Sequence, residues 1–143
     1  MLRGDCKGIS GVGKKVLILD DDPLVLAATQ LRLSEMGYQV STRDQVLGTS
    51  QWVVKNRPWL LLLDVMMPAM SGTELAHFLR RRGIDAHIIL HSSKEWGELQ
   101  RLARATGALG AIRKGLEDHE FVEQFKALVS EVEPKKGFSS AGG

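Results

Sequence analysis

The chain has 143 residues, 43% of them hydrophobic and 25% charged, which are the proportions of one folded globular domain and exclude a fibrous or wholly disordered protein. Nineteen Lys and Arg against seventeen Asp and Glu leave a net charge of +2, too small for long-range attraction to nucleic acid or an anionic membrane. The lone cysteine, Cys6, excludes an internal disulfide and a thiolate zinc site, and suits a reducing cytoplasm.

The longest apolar run, Trp59 to Leu63 and then Val65 to Met67, is broken by Asp64 and falls short of the roughly 18–20 residues of a membrane span. The first residues hold no apolar block and do not read as a secretory signal. Residues 1–13 are glycine-rich and residues 134–143 are rich in Lys, Ser and Gly, so both are expected to be flexible flanks of a folded unit, residues 14–133.

Within that unit short apolar runs alternate with amphipathic stretches. Val16 to Leu19 precedes a helix from Pro23 to Met36, and Tyr38 to Val40 precedes one from Val46 to Asn56. Leu60 to Leu63 is followed by Gly72 to Arg82, His87 to Leu90 by Glu95 to Thr106, and Ala108 to Ile112 by Asp118 to Val132. Asp22 before Pro23 reads as an N-cap with a first-turn proline, Ser71 and Glu74 as a capping box, and Gly37, Gly83 and Gly107 as helix ends. In the last helix Phe121, Val122, Phe125, Leu128, Val129 and Val132 form one apolar stripe. Nearly all-apolar strands separated by helices are buried on both faces, so the fold is an α/β, open and doubly wound, five-stranded parallel sheet with helices on both faces.

In such a sheet ligands collect at the carboxyl ends of the strands. Asp20, Asp21 and Asp22 follow the first strand, Asp64 the third, Ser92 and Ser93 the fourth, and Lys114 the fifth. Clustered carboxylates repel, and a hard divalent cation such as Mg²⁺ removes the conflict while accepting a phosphate oxygen as a further ligand. With Lys114 and Ser92 beside that cation, a phosphoryl group on Asp64 would have its oxygens neutralised or hydrogen-bonded, so the arrangement predicts an aspartyl phosphate. Asp22 is left to its capping role.

At these positions the sequence resembles the receiver domains of two-component response regulators over about Lys14 to Val132. The resemblance rests on the pair Asp20 and Asp21, the segment from Asp64 through Pro68 to Gly72, Ser92, and the run from Gly107 to Lys114. It implies a flavodoxin-like strand order 2-1-3-4-5, with Asp64 as phosphoacceptor. Asp21 and the Met66 backbone carbonyl would be direct Mg²⁺ contacts, Asp20 a contact mostly through water, and Ser92 and Lys114 phosphate ligands. The implied partners are a histidine kinase or phosphotransfer protein and an unknown downstream protein, reached by protein contact, with no nucleic acid and no membrane. A homodimer is left open. The chain is expected to be a signalling acceptor and not an enzyme, and the few residues after Val132 are too short for a DNA-binding output unless the chain is a fragment.

Two positions depart from the family pattern. Ala111 stands where family members carry a Tyr or Phe switch ring, which raises the alternative of a phosphate sink or constitutive binding module. Gly115 follows Lys114 where a proline with a cis bond is usual, and a cis bond before glycine would cost about 2.5–4 kcal/mol, so a trans, looser loop is expected. A more distant alternative, a small aspartyl-phosphate phosphohydrolase, would need an acid–base carboxylate two residues after the nucleophile, where Met66 stands.

Plainer readings account for the other motifs. Gly8 to Lys15 nearly spells a phosphate-binding loop, but it precedes a strand instead of following one and lacks the final Ser or Thr. Arg80 to Arg82 suits a helix C-terminus, His91 is expected to be a strand-end packing residue, and Ser92 could alternatively cap the fourth helix. Trp52 and Trp96 are expected to be partly buried, an exposed Trp96 being an interface anchor.

Overall fold

A computed structural model describes residues 13–133. The predicted flanks, Cys6 and most of the glycine-rich motif lie outside the described residues. The elements in chain order are β1 (Lys15–Leu19), α1 (Pro23–Glu35), β2 (Gln39–Arg43), α2 (Thr49–Asn56), β3 (Leu60–Asp64), α3 (Gly72–Arg81), β4 (His87–Ser92), α4 (Trp96–Thr106), β5 (Gly110–Arg113) and α5 (Asp118–Val129). All pairings are parallel and the strand order is β2-β1-β3-β4-β5, as expected.

Strand alternation divides the core into two layers. Leu17, Leu19, Leu61, Leu63, Ile88 and Leu90 face α2, α3 and α4, packing on Val53, Leu75, Leu79 and Leu99. Val16, Ile18, Leu60, Leu62 and Ile89 face the other way, onto Leu33 of α1 and Phe121, Phe125 and Val129 of α5. All five residues of β3 are buried, which explains its unbroken leucines. Truncating one of these leucines to Ala removes transfer energy and leaves a cavity, together about 2–5 kcal/mol.

The caps fall where the sequence places them. Asp22 accepts the Leu24 N–H at 2.9 Å and Pro23 opens α1, and Ser71 and Glu74 form the reciprocal capping box of α3. Several boundaries move. β2 begins one residue later than expected and runs on through half-buried Ser41, Thr42 and Arg43, because an edge strand has no need of an apolar sequence. α2 begins at Thr49 and not Val46, since Gly48 sits at φ +82 and Thr49 N–H bonds the Val46 carbonyl at 2.9 Å in a turn. β3 and β4 extend into their polar ends, with Asp64 in register with His91 and Ser92 with Arg113. β5 begins at Gly110 and α5 stops at Val129, after which Val132 closes a turn onto the Val129 carbonyl. Glu95 is extended and stands at the N-cap position just outside α4, with no side-chain bond to the helix.

Candidate functional site

Each group of the site is delivered by a strand terminus. Asp20 is the first residue past β1, Asp64 ends β3, Ser92 ends β4, and Lys114 is the first past β5. Parallel pairing brings these four ends to one edge, and the core beneath buries Asp20, Asp64 and Ser92 almost completely. The Lys114 ammonium reaches between the carboxylates, 2.8 Å from Asp20 Oδ2 and 3.3 Å from Asp64 Oδ1.

Backbone groups fix the carboxylates. Asp22 N–H donates to Asp20 Oδ1 at 2.9 Å and Met66 N–H to Asp64 Oδ1 at 3.1 Å. Ser92 Oγ accepts the Lys94 N–H at 3.1 Å, and Lys114 N–H bonds the Ser92 carbonyl at 2.9 Å, tying the ends of β4 and β5 together. Ser92 therefore does not cap α4, which begins at Trp96; no described residue accepts its hydroxyl proton, and that donor is free for a ligand.

Burial raises the Asp64 carboxyl above the usual carboxylate range; the charge of Asp20 adds to this, while the Met66 N–H and Lys114 oppose it. Burial would lower the Lys114 ammonium, but its hydrogen bond to Asp20 and the charges of Asp64 and Asp20 outweigh that and raise it. Lys114 thus offsets only part of what burial and Asp20 do to the Asp64 carboxyl.

Asp20, Asp21 and Asp64 each offer a carboxylate oxygen, all within 4.8 Å of one another, with Asp21 on the solvent side. Asp20 Oδ2 is buried, with the Lys114 ammonium 2.8 Å away as its neighbouring cation. Three carboxylates gathered around a single ammonium are an all-oxygen, hard and negatively charged set, which fits Mg²⁺ in both chemistry and charge. Met66 lies two residues past Asp64 with its side chain 57% exposed.

Residues 16–126 match the profile of the response regulator receiver domain. The chain belongs to this family. It is 28% identical over 123 residues to the response regulator MprA of Mycobacterium sp. (strain KMS), covering 86% of this chain and 54% of the relative. It is 30% identical over 125 residues to the phosphate regulon transcriptional regulatory protein PhoB of Pseudomonas aeruginosa, covering 86% and 55%. The chain thus spans about half the length of these curated relatives. Among solved structures, a putative response regulator from Chloroflexus aurantiacus J-10-fl superposes with a TM-score of 0.75 at 25% identity, covering 82% of this chain and 98% of that one. A CheY-like receiver domain protein from Methanospirillum hungatei JF-1 gives 0.71 at 27%, covering 83% and 95%.

The two departures of this receiver domain have structural counterparts. Ala111 is buried on β5 beside an apolar groove of about 460 Å³ whose lining includes Trp96, Leu116 and Leu128. Among the described residues there is no cis peptide bond, so the Lys114–Gly115 bond is trans as expected, and Gly115 takes φ +89, a left-handed conformation that glycine adopts without strain. His91 packs edge-on against the Phe121 ring at 5.8 Å, and burial, with the positive charges of Lys114 and Arg32, lowers it to about 3, so it is a neutral packing residue. Trp96 is 44% exposed and Trp52 half-buried. Arg80 bonds the Ile84 and Ala86 carbonyls and Arg82 lies over Phe78, so these arginines serve the end of α3. No helix among the described residues is long and apolar enough to cross a membrane.

Sequence reasoning missed Arg32, whose Nε bonds Asp118 Oδ1 at 2.6 Å. Its partners lie 84 and 86 residues away, so no local pattern marks it.

Proposed function

We propose that this receiver domain accepts a phosphoryl group on Asp64 from a histidine kinase or phosphotransfer protein and signals by protein contact. The observation that carries this reading is the Lys114 ammonium held between buried Asp20 and Asp64 at the strand edge. In the transfer an Asp64 carboxylate oxygen forms a bond to phosphorus as the donor's P–N bond breaks. The electron pair of that bond returns to the departing imidazole, which takes a proton from solvent.

The new phosphoryl oxygens meet the Lys114 ammonium, already 3.3 Å from Asp64 Oδ1 and so needing little reorganisation, and the hydroxyl proton of Ser92. Mg²⁺, held by Asp21, Asp64 and the Met66 carbonyl with Asp20 behind a water, would supply charge neutralisation for phosphoryl transfer. A protein donor is supported by α1, where Leu24 and Leu31 are 79% and 60% exposed and Ala27 and Ala28 lie open between them. Leu24 and Ala28 line the same cavity as Lys114, so this apolar helix face runs up to the site. The reading places the domain in the cytoplasm, as the target of phosphotransfer and not as a turnover enzyme.

The groove beside Ala111 favours a second reading, a receiver with altered or lost switching that serves as a phosphate sink or constitutive binding module. Incubation with Mg²⁺ and acetyl phosphate, read by intact mass, tests the first reading. Amide NMR shifts on adding beryllofluoride separate it from the second.

A further inference from the structure

The loop 114–117 carries Lys114 from β5 to α5, and Leu116 is its one residue packed against the apolar core. Gly115 has no side chain, and between the loop and α1 lies a cavity of about 180 Å³ whose lining includes Thr29, Arg32, His91 and Lys114. Thr29 Oγ1 and His91 Nδ1 are buried there without hydrogen-bond partners, so neither side chain ties α1 or β4 to the loop.

Among the described residues, Arg32 is the side chain of α1 that hydrogen-bonds across to the loop. Arg32 of α1 donates from Nε to Asp118 Oδ1 at 2.6 Å and from Nη2 to the Leu116 carbonyl at 3.3 Å, while its guanidinium sits 5.2 Å from the centre of the Phe121 ring. Leu116 lies two residues past Lys114, and Asp118 and Phe121 belong to the first turns of α5. A flat fork with several donors makes all three contacts at once, which an ammonium does not.

We propose that Arg32 is a positioning residue for phosphoryl transfer, holding the 114–117 loop against α1 so that the Lys114 ammonium stays aimed at Asp64. The inference rests on the phosphoacceptor reading above. Asp118 is 81% exposed, so the ion pair contributes little to stability, and the role of Arg32 is to fix geometry. The loop keeps two other anchors, the Lys114 N–H on the Ser92 carbonyl and the half-buried Leu116 side chain, so the domain folds without the guanidinium.

The test measures initial labelling rates of the full chain with acetyl phosphate and Mg²⁺ for Arg32→Met and Arg32→Lys, each with Lys114 intact and with Lys114→Ala. Small misplacements of a reacting group cost up to about a hundredfold, so Arg32→Met is expected to slow labelling by about tenfold or more. Arg32→Lys restores the rate only in part. Because Arg32 acts through Lys114, Arg32→Met causes no further loss in the Lys114→Ala background. An unchanged rate in Arg32→Met, or an equal fold loss in both backgrounds, overturns the proposal. If Arg32→Met does not fold, Asp118→Asn replaces it in the same comparison. Absence of labelling in the unmutated chain overturns the phosphoacceptor reading together with this one, whereas a labelled chain indifferent to Arg32 overturns this one alone.

Discussion

A Cβ at position 72 would lie 2.2 Å from the carbonyl oxygen of Asp64, nearer than any side-chain carbon can approach, so Gly72 and Asp64 share one close backbone contact. Gly72 N–H also bonds the Val65 carbonyl at 3.1 Å, folding the start of α3 back onto the end of β3. The glycine in the Asp64-to-Gly72 segment is thus a packing requirement that fixes where the Asp64 carboxylate emerges.

Gly72→Ala is therefore expected to push α3 away from Asp64 and to destabilise the domain by roughly 1–3 kcal/mol, as overpacking does. Urea unfolding measures the loss. The same variant is expected to label more slowly per folded molecule; an unchanged midpoint would show that the contact yields without strain.

The raised Asp64 carboxyl has a sign that can be tested. A carboxyl whose pKa is higher folded than unfolded binds its proton more tightly in the fold, so stability falls as pH rises from the ordinary carboxylate value through the folded one. Without Mg²⁺ the unmutated domain is expected to show this fall and Asp64→Asn to lack it. Adding Mg²⁺ at a hundred times its dissociation constant raises stability by about 2.7 kcal/mol at neutral pH. Thermal melts from pH 4 to 8 with and without Mg²⁺ check both statements, and identical curves for the two proteins would refute the first.

The metal site also separates two neighbouring aspartates. Asp21→Ala is expected to weaken Mg²⁺ binding more than Asp20→Ala, since the reading gives Asp21 direct contact and places Asp20 behind water. Tryptophan fluorescence titration of each variant decides it, and equal losses would mean that both carboxylates touch the metal.

The sheet and the site edge were legible in the sequence for different reasons from the parts that were not. Leu60 to Leu63 and Val16 to Leu19 announce buried strands by composition, and Asp22 with Pro23, or Ser71 with Glu74, mark helix starts by local chemistry. β2 was under-read because its residues Ser41 to Arg43 pair along an edge, and β3 and β4 because hydrogen bonding carries the strand past the last apolar residue into Asp64 and Ser92. Arg32 and the groove at Ala111 were invisible as a clamp and a void, since each depends on residues brought together only by the fold.

That groove carries a prediction of its own. A switch needs an element with two packed arrangements of unequal affinity for the phosphorylated site. Ala111 has no ring to move, so beryllofluoride is expected to shift amides in the loop after β4 while leaving residues 96–106 and 117–130 comparatively still. Ala111→Tyr places a ring beside the groove of about 460 Å³ and is expected to enlarge the response there. Large shifts across α4 and α5 in the unmutated domain would assign the switch to another side chain, with Trp96 on the groove wall the first to test.

The central claim is tested most directly by intact-mass measurement of the full chain and of Asp64→Asn after incubation with Mg²⁺ and acetyl phosphate. The account predicts one acid-labile phosphoryl group on the unmutated chain and none on the variant, because the proposal makes Asp64, the buried carboxylate 3.3 Å from the Lys114 ammonium, the acceptor. Labelling of Asp64→Asn equal to that of the unmutated chain would contradict it.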